Sequence, residues 1–400
     1  MKILMLTPYL PFPPSSGGQV RSYNLLKNLG KKHKIVLVAL IKNDSEKKYV
    51  ADLKDYCEKI YVCKRSESPW TMQNIFRSIF GLYPFLVVRN YSKEAKETVY
   101  KLLQENNFDL IHAETFYIMP HIPETKIPIL LVEQTIEYMV YQHFVKNSKL
   151  IFIKPLFYFD ILKLKFWEKS YWQKADLVGA MSEIDRQQMI KIIPDLKVEI
   201  IPNAAGEDLS LIYQTKKTEK PIFLYQGNFF WLQNIEAARL LIDQIFPEII
   251  KKIPSAICYI AGQKAKEKLG AIKTKGIKII DIEPSDVDTV KKVYQQASIF
   301  LAPIKGPGGT RLKILGAMAA GLPVISSPTG VSGLFITDRE NVLIAKNNQD
   351  FVKLAVEIFK SRSLYETIRQ NAKKLVEEKY NWNTVSSKLE QIYLKLTKTK

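Results

Sequence analysis

The chain has 400 residues, of which 46% are hydrophobic and 25% charged, a balance typical of folded globular proteins and unlike that of disordered chains. At this length two domains are expected rather than a single core. The net charge of +19 is spread over both halves, and no nucleic-acid-binding motif accompanies it. Anionic lipid, phosphorylated small molecules and a lysine-rich genome composition are the explanations that the sequence leaves open.

The cysteines and apolar runs bear on the compartment. Cys57, Cys63 and Cys258 show neither a pairing framework nor metal-ligand spacing, which favours a reducing environment. The apolar start is short and is ended by prolines, unlike a signal peptide. The uncharged runs 3–20 and 314–337 are interrupted by proline, glycine and serine, so neither indicates a membrane span. The sequence predicts a cytoplasmic protein, with peripheral contact at the inner face of an anionic membrane as an option.

The first forty residues predict a Rossmann-like opening. Residues 2–7 indicate a buried strand, Gly17 and Gly18 end the loop after it, a helix covers about 19–30, and residues 33–41 indicate the next strand. No Gly-x-Gly-x-x-Gly fingerprint is present and the second strand lacks a terminal acid, so a dinucleotide-dependent dehydrogenase is disfavoured. A simple turn before the helix is the alternative role of the two glycines.

Basic residues cluster on this first helix and just after it. They are Arg21, Lys27, Lys31, Lys32 and Lys34. Near a charged membrane surface each would contribute about 1 kcal/mol, so the helix is one candidate for contact with anionic headgroups. A solvated helix face is the alternative.

Polar residues end the predicted strand at 109–114, and in parallel sheets such residues lie at the ligand crevice. Glu114 is the last of them. His112 is interpreted as a core or orienting histidine rather than a proton shuttle. The next predicted strand, 129–132, is followed by a polar stretch that contains Gln134.

Aromatic and basic side chains are mixed in residues 149–174. This segment either lies on a membrane with its lysines reaching the headgroups or packs against its own domain, and the acids Asp160 and Glu168 weaken the membrane interpretation. Ser182, with Asp185 three residues later, predicts a helix start. The polar residues 206–219 are predicted to link two domains.

The alternation of strands and helices restarts in the second half. Gly227, Asn228 and Gln233 lie in or near the loop before a helix predicted at 235–245. Asp286-Val287-Asp288 superficially matches an Asp-x-Asp metal motif, but acids at this place favour a helix N-terminus, so no metal site is predicted. Strands are predicted at 222–225, 256–262, 277–282, 298–303 and 323–327; after residue 341 the chain is predicted to be helical, with a last helix beginning at 380–382.

The most informative stretch is IKGPGGTRLKILGAMAAGLPVISS, residues 304–327. Gly309 and Thr310 end a glycine-rich loop whose backbone can approach a ligand closely. Arg311 and Lys313 follow at the start of a helix, whose N-terminus attracts anions. The sequence predicts a phosphate site here, with an ordinary glycine-rich turn as the alternative.

This stretch resembles the signature of the family 4 retaining glycosyltransferases, "RLKILEAMA.G.PVV" after a glycine-rich loop. Further segments are similar to family patterns at 109–114, 133–137 and 175–185, so the resemblance covers nearly the whole chain. Gln134 stands where the family frequently has histidine. Gly316 replaces a glutamate that in the family accepts hydrogen bonds from the donor ribose.

The resemblance implies an α/β chain of GT-B architecture, with two Rossmann-like, doubly wound parallel-sheet domains facing a cleft. Residues 1–205 form the acceptor-side domain, 220–380 the nucleotide-sugar-binding domain, and a helix at about 381–400 crosses back to the first. The activity implied is a retaining, metal-independent transfer of a sugar from a nucleotide diphosphate to a glycan, lipid-linked or protein-linked acceptor, in cell-surface polysaccharide or glycoconjugate synthesis, without a cofactor.

The resemblance also implies the site residues. Glu114 is the catalytic-site residue that faces the donor sugar, and Arg311 and Lys313 neutralise the diphosphate. The other nucleotide-sugar-binding residues predicted are Gly17, Gly18, Gly227, Asn228, Gln233, Gly309, Thr310 and Gly316. Two alternatives stay open: a catalytically silent protein of this fold that binds a nucleotide or a partner transferase, and a nucleotide-sugar epimerase of similar architecture.

Overall fold

A computed structural model describes residues 1–147, 152, 154–205, 209, 221–306 and 308–398. The chain divides into two compact units, one comprising Met1–Pro202 with Ser386–Lys400 and the other Asn203–Val385. Each unit contains a parallel sheet with helices between its strands, which confirms the predicted α/β fold class. The predicted linker, 206–219, lies outside the described residues except for Leu209.

The boundary between the units falls at Pro202, whereas the sequence placed it at residue 205. The Asn203 side-chain amide donates to Thr310 Oγ1 at 3.0 Å, and the Ala205 N–H donates to the Tyr380 carbonyl at 2.8 Å. These long-range hydrogen bonds join residues 203–205 to the second unit. The other boundary follows Val385, inside the last helix, and not residue 380.

The first unit contains a seven-stranded parallel sheet in the order β3-β2-β1-β4-β5-β6-β7. Its strands are β1 (Lys2–Thr7), β2 (Lys34–Ile41), β3 (Lys59–Lys64), β4 (Leu110–Glu114), β5 (Ile129–Glu133), β6 (Leu177–Ala180) and β7 (Val198–Ile200). Its α-helices are α1 (Gly17–Leu29), α2 (Met72–Phe80), α3 (Phe85–Asn90), α4 (Lys93–Glu105), α5 (Glu137–Asn147), α6 (Lys154–Lys174) and α7 (Glu183–Ile192). The central strands are buried along nearly their whole length, as expected for a parallel sheet covered on both faces.

The predicted Rossmann-like opening is confirmed, with a small shift in the first helix. Helix α1 begins at Gly17, before the predicted residue 19, because the Ser16 side chain accepts a hydrogen bond from the Gln19 N–H and caps it. Side-chain caps also confirm two other predicted starts. Ser182 Oγ accepts from the Asp185 N–H at 3.2 Å, and Asp286 Oδ1 accepts from the Thr289 N–H at 2.9 Å.

The second unit contains a six-stranded parallel sheet in the order β10-β9-β8-β11-β12-β13. Its strands are β8 (Ile222–Gln226), β9 (Ile257–Gly262), β10 (Ile277–Asp281), β11 (Ile299–Ala302), β12 (Val324–Ser326) and β13 (Leu343–Ile344). Its helices are α8 (Leu232–Leu240), α9 (Phe246–Lys252), α10 (Ala265–Leu269), α11 (Val287–Gln296), α12 (Leu312–Ala319), α13 (Asn348–Lys360) and α14 (Arg362–Lys379), and α15 (Trp382–Lys398) starts here.

One secondary-structure prediction for this unit is wrong, and another differs in the type of helix. The chain after residue 341 is not wholly helical, because β13 pairs with β12; a two-residue strand is too short for its pattern to be recognised. The helix predicted at 235–245 ends at Leu240 and continues as a π-helical turn, Leu241–Ile245. Pro247 at the start of α9 has no N–H to donate, which accounts for the change in hydrogen bonding.

The last helix, α15, belongs to the first unit from Ser386 onwards. Several side-chain contacts attach it there, among them the following two. The Tyr393 hydroxyl contacts the buried His112 ring, and Lys32 Nζ lies 2.7 Å from Glu390 Oε2. Within the described ranges, none of the helices combines the length and apolarity needed to cross a membrane.

Candidate functional site

In each sheet, predicted site residues follow the two strands at which the strand order reverses direction. In the first sheet these are β1 and β4, and Gly17 and Glu114 come at or after their carboxyl ends. In the second they are β8 and β11, followed by Gly227 and Arg311. Ligands of open α/β sheets bind in the crevice outside such a switch point. The fold thus puts the predicted residues where a ligand site is expected.

Lys313 is the centre of the arrangement in the second unit. Its Nζ lies 2.6 Å from Asn234 Oδ1 and 3.3 Å from the Tyr225 hydroxyl, and it also lies over the Tyr225 ring at 4.7 Å. The Tyr225 hydroxyl in turn donates to Asn234 Oδ1 at 3.1 Å. The ammonium group is therefore oriented by the end of β8 and the first turn of α8, close to the loop between them.

The pKa of Lys313 is lowered to about 7, first by burial and then by the neighbouring charge of Arg311. The two side chains that bind the Lys313 ammonium, Asn234 and Tyr225, are both neutral near pH 7, so neither balances its charge. A bound anion would favour the charged ammonium. The electrostatics of the second unit therefore suit a negatively charged ligand beside Lys313.

Glycines create the space that these cations occupy. A Cβ on Gly227 would lie 2.9 Å from Lys313 Nζ, and a Cβ on Gly308 would lie 2.4 Å from Arg311 Nη1. Gly308 also has φ +147°, a conformation that other residues rarely adopt. Gly227 and Gly308 therefore leave room for the two cationic side chains, and the predicted close approach of the glycine-rich loop to a ligand stays a prediction.

The loop after β11 leads directly into α12. Arg311 is the N-cap residue of this helix, and no side chain caps its first turn, which contains no acidic residue. Arg311 Nη2 donates to the Gly306 carbonyl at 2.7 Å, and the buried Thr310 hydroxyl accepts from Asn203. N–H groups at a helix start without a side-chain cap attract anions. Pro307 of this loop lies outside the described residues.

Asn228 and Gln233, predicted to stand where the family has basic residues, have different surroundings. Asn228 shapes its own loop: its Oδ1 accepts from the Phe230 N–H and its Nδ2 donates to Gln263 Oε1, both at 3.0 Å. Gln233 is partly buried in the first turn of α8. The residue that contacts Lys313 is the next one, Asn234, which the sequence analysis missed because a helix face cannot be aligned to a distant loop from spacing alone.

Gly316 is buried in α12, and a side chain there would meet a neighbour. Its Cβ would lie 2.8 Å from Leu209 Cδ1, a terminal methyl group, and 3.7 Å from the Tyr294 hydroxyl. The space beside Gly316 is thus bounded by one apolar and one polar group. Among the residues that the structure describes, no carboxylate oxygen lies within 4 Å of that Cβ to stand in for the glutamate expected from the resemblance.

In the first unit, Glu114 lies in a fully buried polar cluster at the end of β4. Its Oε1 is 3.4 Å from Arg21 Nε and 3.2 Å from His112 Nε2, and its Oε2 accepts from Gln134 Nε2 at 2.9 Å. Burial alone would raise the pKa of Glu114, but Arg21, His112 and Gln134 outweigh it and lower the pKa to about 2. Glu114 has no exposed surface, whereas Gln134, which donates a hydrogen bond to it, is partly exposed. The predicted contact of Glu114 with the donor sugar stays a prediction.

Arg21 is not a surface residue, which corrects the expectation that it could meet lipid headgroups. Its side chain is fully buried, and its Nη1 donates to the carbonyls of Ile201 at 3.3 Å and Pro202 at 3.0 Å. His112 is a core residue, as expected, held between Glu114 and Tyr393. The burial of Arg21 could not be read from its helix pattern, because its partners are distant in sequence.

Gly17 and Gly18 form the first turn of α1, and Gly17 is exposed. A Cβ on Gly18 would lie 2.4 Å from the Tyr9 hydroxyl and 2.9 Å from Gln134 Oε1. The Tyr9 hydroxyl accepts from Gln134 Nε2 at 2.8 Å and lies 3.2 Å from Ser22 Oγ. Gly18 therefore leaves room for the Tyr9 hydroxyl, which is joined to Glu114 through Gln134. The predicted contact of both glycines with a ligand stays a prediction.

Metal coordination was not predicted from the sequence. Among the residues that the structure describes, no group of three or more His, Cys, Asp or Glu side chains is placed to hold a metal ion. Asp286, the candidate from the Asp-x-Asp pattern, instead caps α11.

Comparison with known proteins shows similarity to one family in the second unit. Residues 220–361 match the family model described as "Glycosyl transferases group 1". An uncharacterized 44.6 kDa protein in the cps region of Klebsiella pneumoniae is 22% identical over 403 residues, with 97% of this chain and 98% of that protein covered.

Two solved structures share the whole fold. Sucrose-phosphate synthase from Thermosynechococcus elongatus superposes with a TM-score of 0.69 at 16% identity, with 100% of both chains covered. HepE from Anabaena, in complex with UDP-glucose, gives a TM-score of 0.68 at 13% identity, with 98% of this chain and 99% of that chain covered. The second unit is thus similar to group 1 glycosyltransferases over residues 220–361, and the two parallel-sheet units have the GT-B fold of these solved structures.

Proposed function

We propose that the protein transfers a sugar from a nucleotide diphosphate to a glycan, lipid-linked or protein-linked acceptor, with retention at the anomeric carbon and without a metal ion. It acts in the cytoplasm, in cell-surface polysaccharide or glycoconjugate synthesis. The observation that carries the proposal is the convergence of Arg311, Lys313 and the start of α12 at the β8–β11 switch point.

The reaction breaks the bond between the anomeric carbon and the diphosphate, and the leaving group takes the electron pair. Negative charge then grows on the diphosphate, and fixed positive groups stabilise that charge as it develops. Arg311, Lys313 and the first-turn N–H groups of α12 supply them. The acceptor proton passes to a donor phosphate oxygen, so no protein base is required, and the buried Glu114 acts by orienting Gln134.

Relatives support the donor and the pathway class. The Anabaena protein of the same fold has been captured with UDP-glucose, and the Klebsiella relative belongs to a cps region. Both are consistent with a nucleotide-sugar donor and a polysaccharide or glycoconjugate product.

The experiment is a thermal-shift panel of nucleoside diphosphates, followed by incubation of the sugars of the stabilising base with candidate acceptors and analysis by mass spectrometry. The proposal expects donor hydrolysis or a product heavier by one sugar. Binding without hydrolysis or transfer would favour the catalytically silent alternative. Isomerisation of the donor at constant mass, without acceptor, would favour the epimerase.

Gly316→Glu tests the assigned ribose position. The carboxylate is expected to tighten the binding of uridine or guanosine diphosphate by roughly tenfold to over a hundredfold, the equivalent of one charged hydrogen bond of ~1.5–3 kcal/mol. Leu209 must move its terminal methyl to admit the new Cβ. Gly316→Ala is the matched control, because it meets the same methyl without the carboxylate. Equal affinities of the two variants by calorimetry would reject the assignment.

A further inference from the structure

Helices α2 and α6 of the first unit carry an exposed apolar surface. It consists of Phe76, Phe80, Leu82, Phe159, Leu162 and Phe166, which together are called the α2–α6 surface here. All but Phe76 line one open groove of about 430 Å³, and Phe76 stacks on Phe80 with ring centroids 5.9 Å apart. Phe80 and Leu82 are 79% and 81% exposed. Contiguous apolar surface of this kind marks an interaction site.

The backbone beneath this surface is held firmly. The Lys163 ammonium donates hydrogen bonds to the carbonyl of Ser78 at 2.6 Å, near the end of α2, and to the carbonyl of Gly81 at 2.7 Å, just after it. Trp167 Nε1 donates to the Leu82 carbonyl at 2.9 Å. These bonds satisfy carbonyl groups at the end of α2 and in the turn that follows it, while the side chains of Phe80 and Leu82 remain exposed. The exposure of Phe80 and Leu82 is thus built into the fold.

On α2 and α6, basic side chains face the solvent and acidic side chains face the protein interior. Arg77 and Lys165 are exposed, whereas both acids of α6 are turned inward. Asp160 Oδ1 accepts from Ser78 Oγ at 2.9 Å, and the fully buried Glu168 accepts from the Glu137 N–H at 2.7 Å. The two acids, which in the sequence weaken a membrane interpretation, therefore do not oppose an anionic partner.

We propose that the α2–α6 surface binds an anionic lipid bilayer, with its aromatic and aliphatic side chains at the boundary between headgroups and acyl chains. Apolar side chains flanked by basic ones, without an exposed acid on either helix, are the pattern of helices that lie in a membrane interface. The other candidate from the sequence, the basic face of α1, is less suited, because Arg21 is buried and Lys32 pairs with Glu390.

Vesicle flotation with the full-length protein tests the proposal. Vesicles of phosphatidylcholine alone are compared with vesicles of three parts phosphatidylcholine to one part phosphatidylglycerol. The wild type is expected to float with the anionic vesicles only. The Phe80→Ser/Leu82→Ser variant is expected to lose about tenfold or more of the partition coefficient, since two large apolar side chains no longer enter the interface.

Two further variants separate the contributions of charge and site. Arg77→Gln/Lys165→Gln should weaken binding to the anionic vesicles several-fold, and added salt should weaken the wild type in the same direction. Tyr100→Ser removes another exposed aromatic residue of the first unit, on α4, and should leave binding unchanged. Circular dichroism and thermal melting confirm that each variant is folded, as expected for substitutions of exposed side chains.

Three results would overturn the proposal. The first is a wild type that does not float with anionic vesicles, and the second is a Phe80→Ser/Leu82→Ser variant that floats as well as the wild type. Analytical ultracentrifugation supplies the third: a dimer that this variant dissociates, without vesicle binding, would assign the surface to a second copy of the chain.

Discussion

Replacing Lys313 with methionine is expected to weaken nucleoside diphosphate binding by roughly tenfold to over a hundredfold. Methionine keeps most of the side-chain length but removes one charged hydrogen bond, with ~1.5–3 kcal/mol of binding free energy. Turnover should fall with it, because the same charge stabilises the departing diphosphate. Lys292→Met, on the exposed side of α11, is the matched control. Calorimetry measures the affinity and initial rates measure the turnover. If Lys313→Met bound the diphosphate as tightly as the wild type, the ammonium would not belong to the donor site.

The pH dependence of the same site provides an independent check. Burial and Arg311 lower the pKa of Lys313 to about 7, so the free protein loses this charge as the pH rises above that value. A bound diphosphate favours the charged form and raises the pKa, so binding above pH 7 requires uptake of a proton. Affinity should therefore fall as the pH rises from 7, and Lys313→Met should abolish the dependence. Calorimetry in buffers of different ionisation enthalpy counts the proton taken up.

Replacing Glu114 with leucine is expected to destabilise the first unit by about 3–5 kcal/mol, because the guanidinium of Arg21 would remain buried without its carboxylate. Denaturant unfolding at neutral pH measures the loss. The control is the Arg21→Met/Glu114→Leu double variant, in which neither charge remains and part of the stability should return. A Glu114→Leu protein as stable as the wild type would show that the pair contributes nothing to the fold.

The sign of the pH effect follows from the lowered pKa of Glu114, about 2. A carboxyl whose pKa is depressed in the folded state contributes stability above its ordinary pKa. That contribution is lost only as the pH falls from about 4.5 towards 2. The wild type and the Glu114→Leu variant should therefore converge in stability as the medium is acidified over this range.

Local sequence patterns determined the fold class and the places of the main loops. Continuous apolar runs predicted the parallel strands, and glycine clusters at residues 17–18 and 308–309 marked loops before helices. Ser182 and Asp286 revealed helix starts, because a cap needs only residues three positions apart. These features depend on neighbours in sequence, so they could be recognised without coordinates. The two-residue strand β13 is too short to be predicted in this way.

Only the tertiary structure decided which side chains share an environment. Arg21 is paired with Glu114, and Lys313 with Asn234 and Tyr225, across wide separations in sequence. No periodicity along the chain encodes such contacts, since they arise when neighbouring strands bring their loops to one edge of a sheet. The inward turn of Asp160 is equally a result of packing. The sequence by itself determined the chemistry that was available, and the fold decided which charges are buried, which are oriented and which remain exposed.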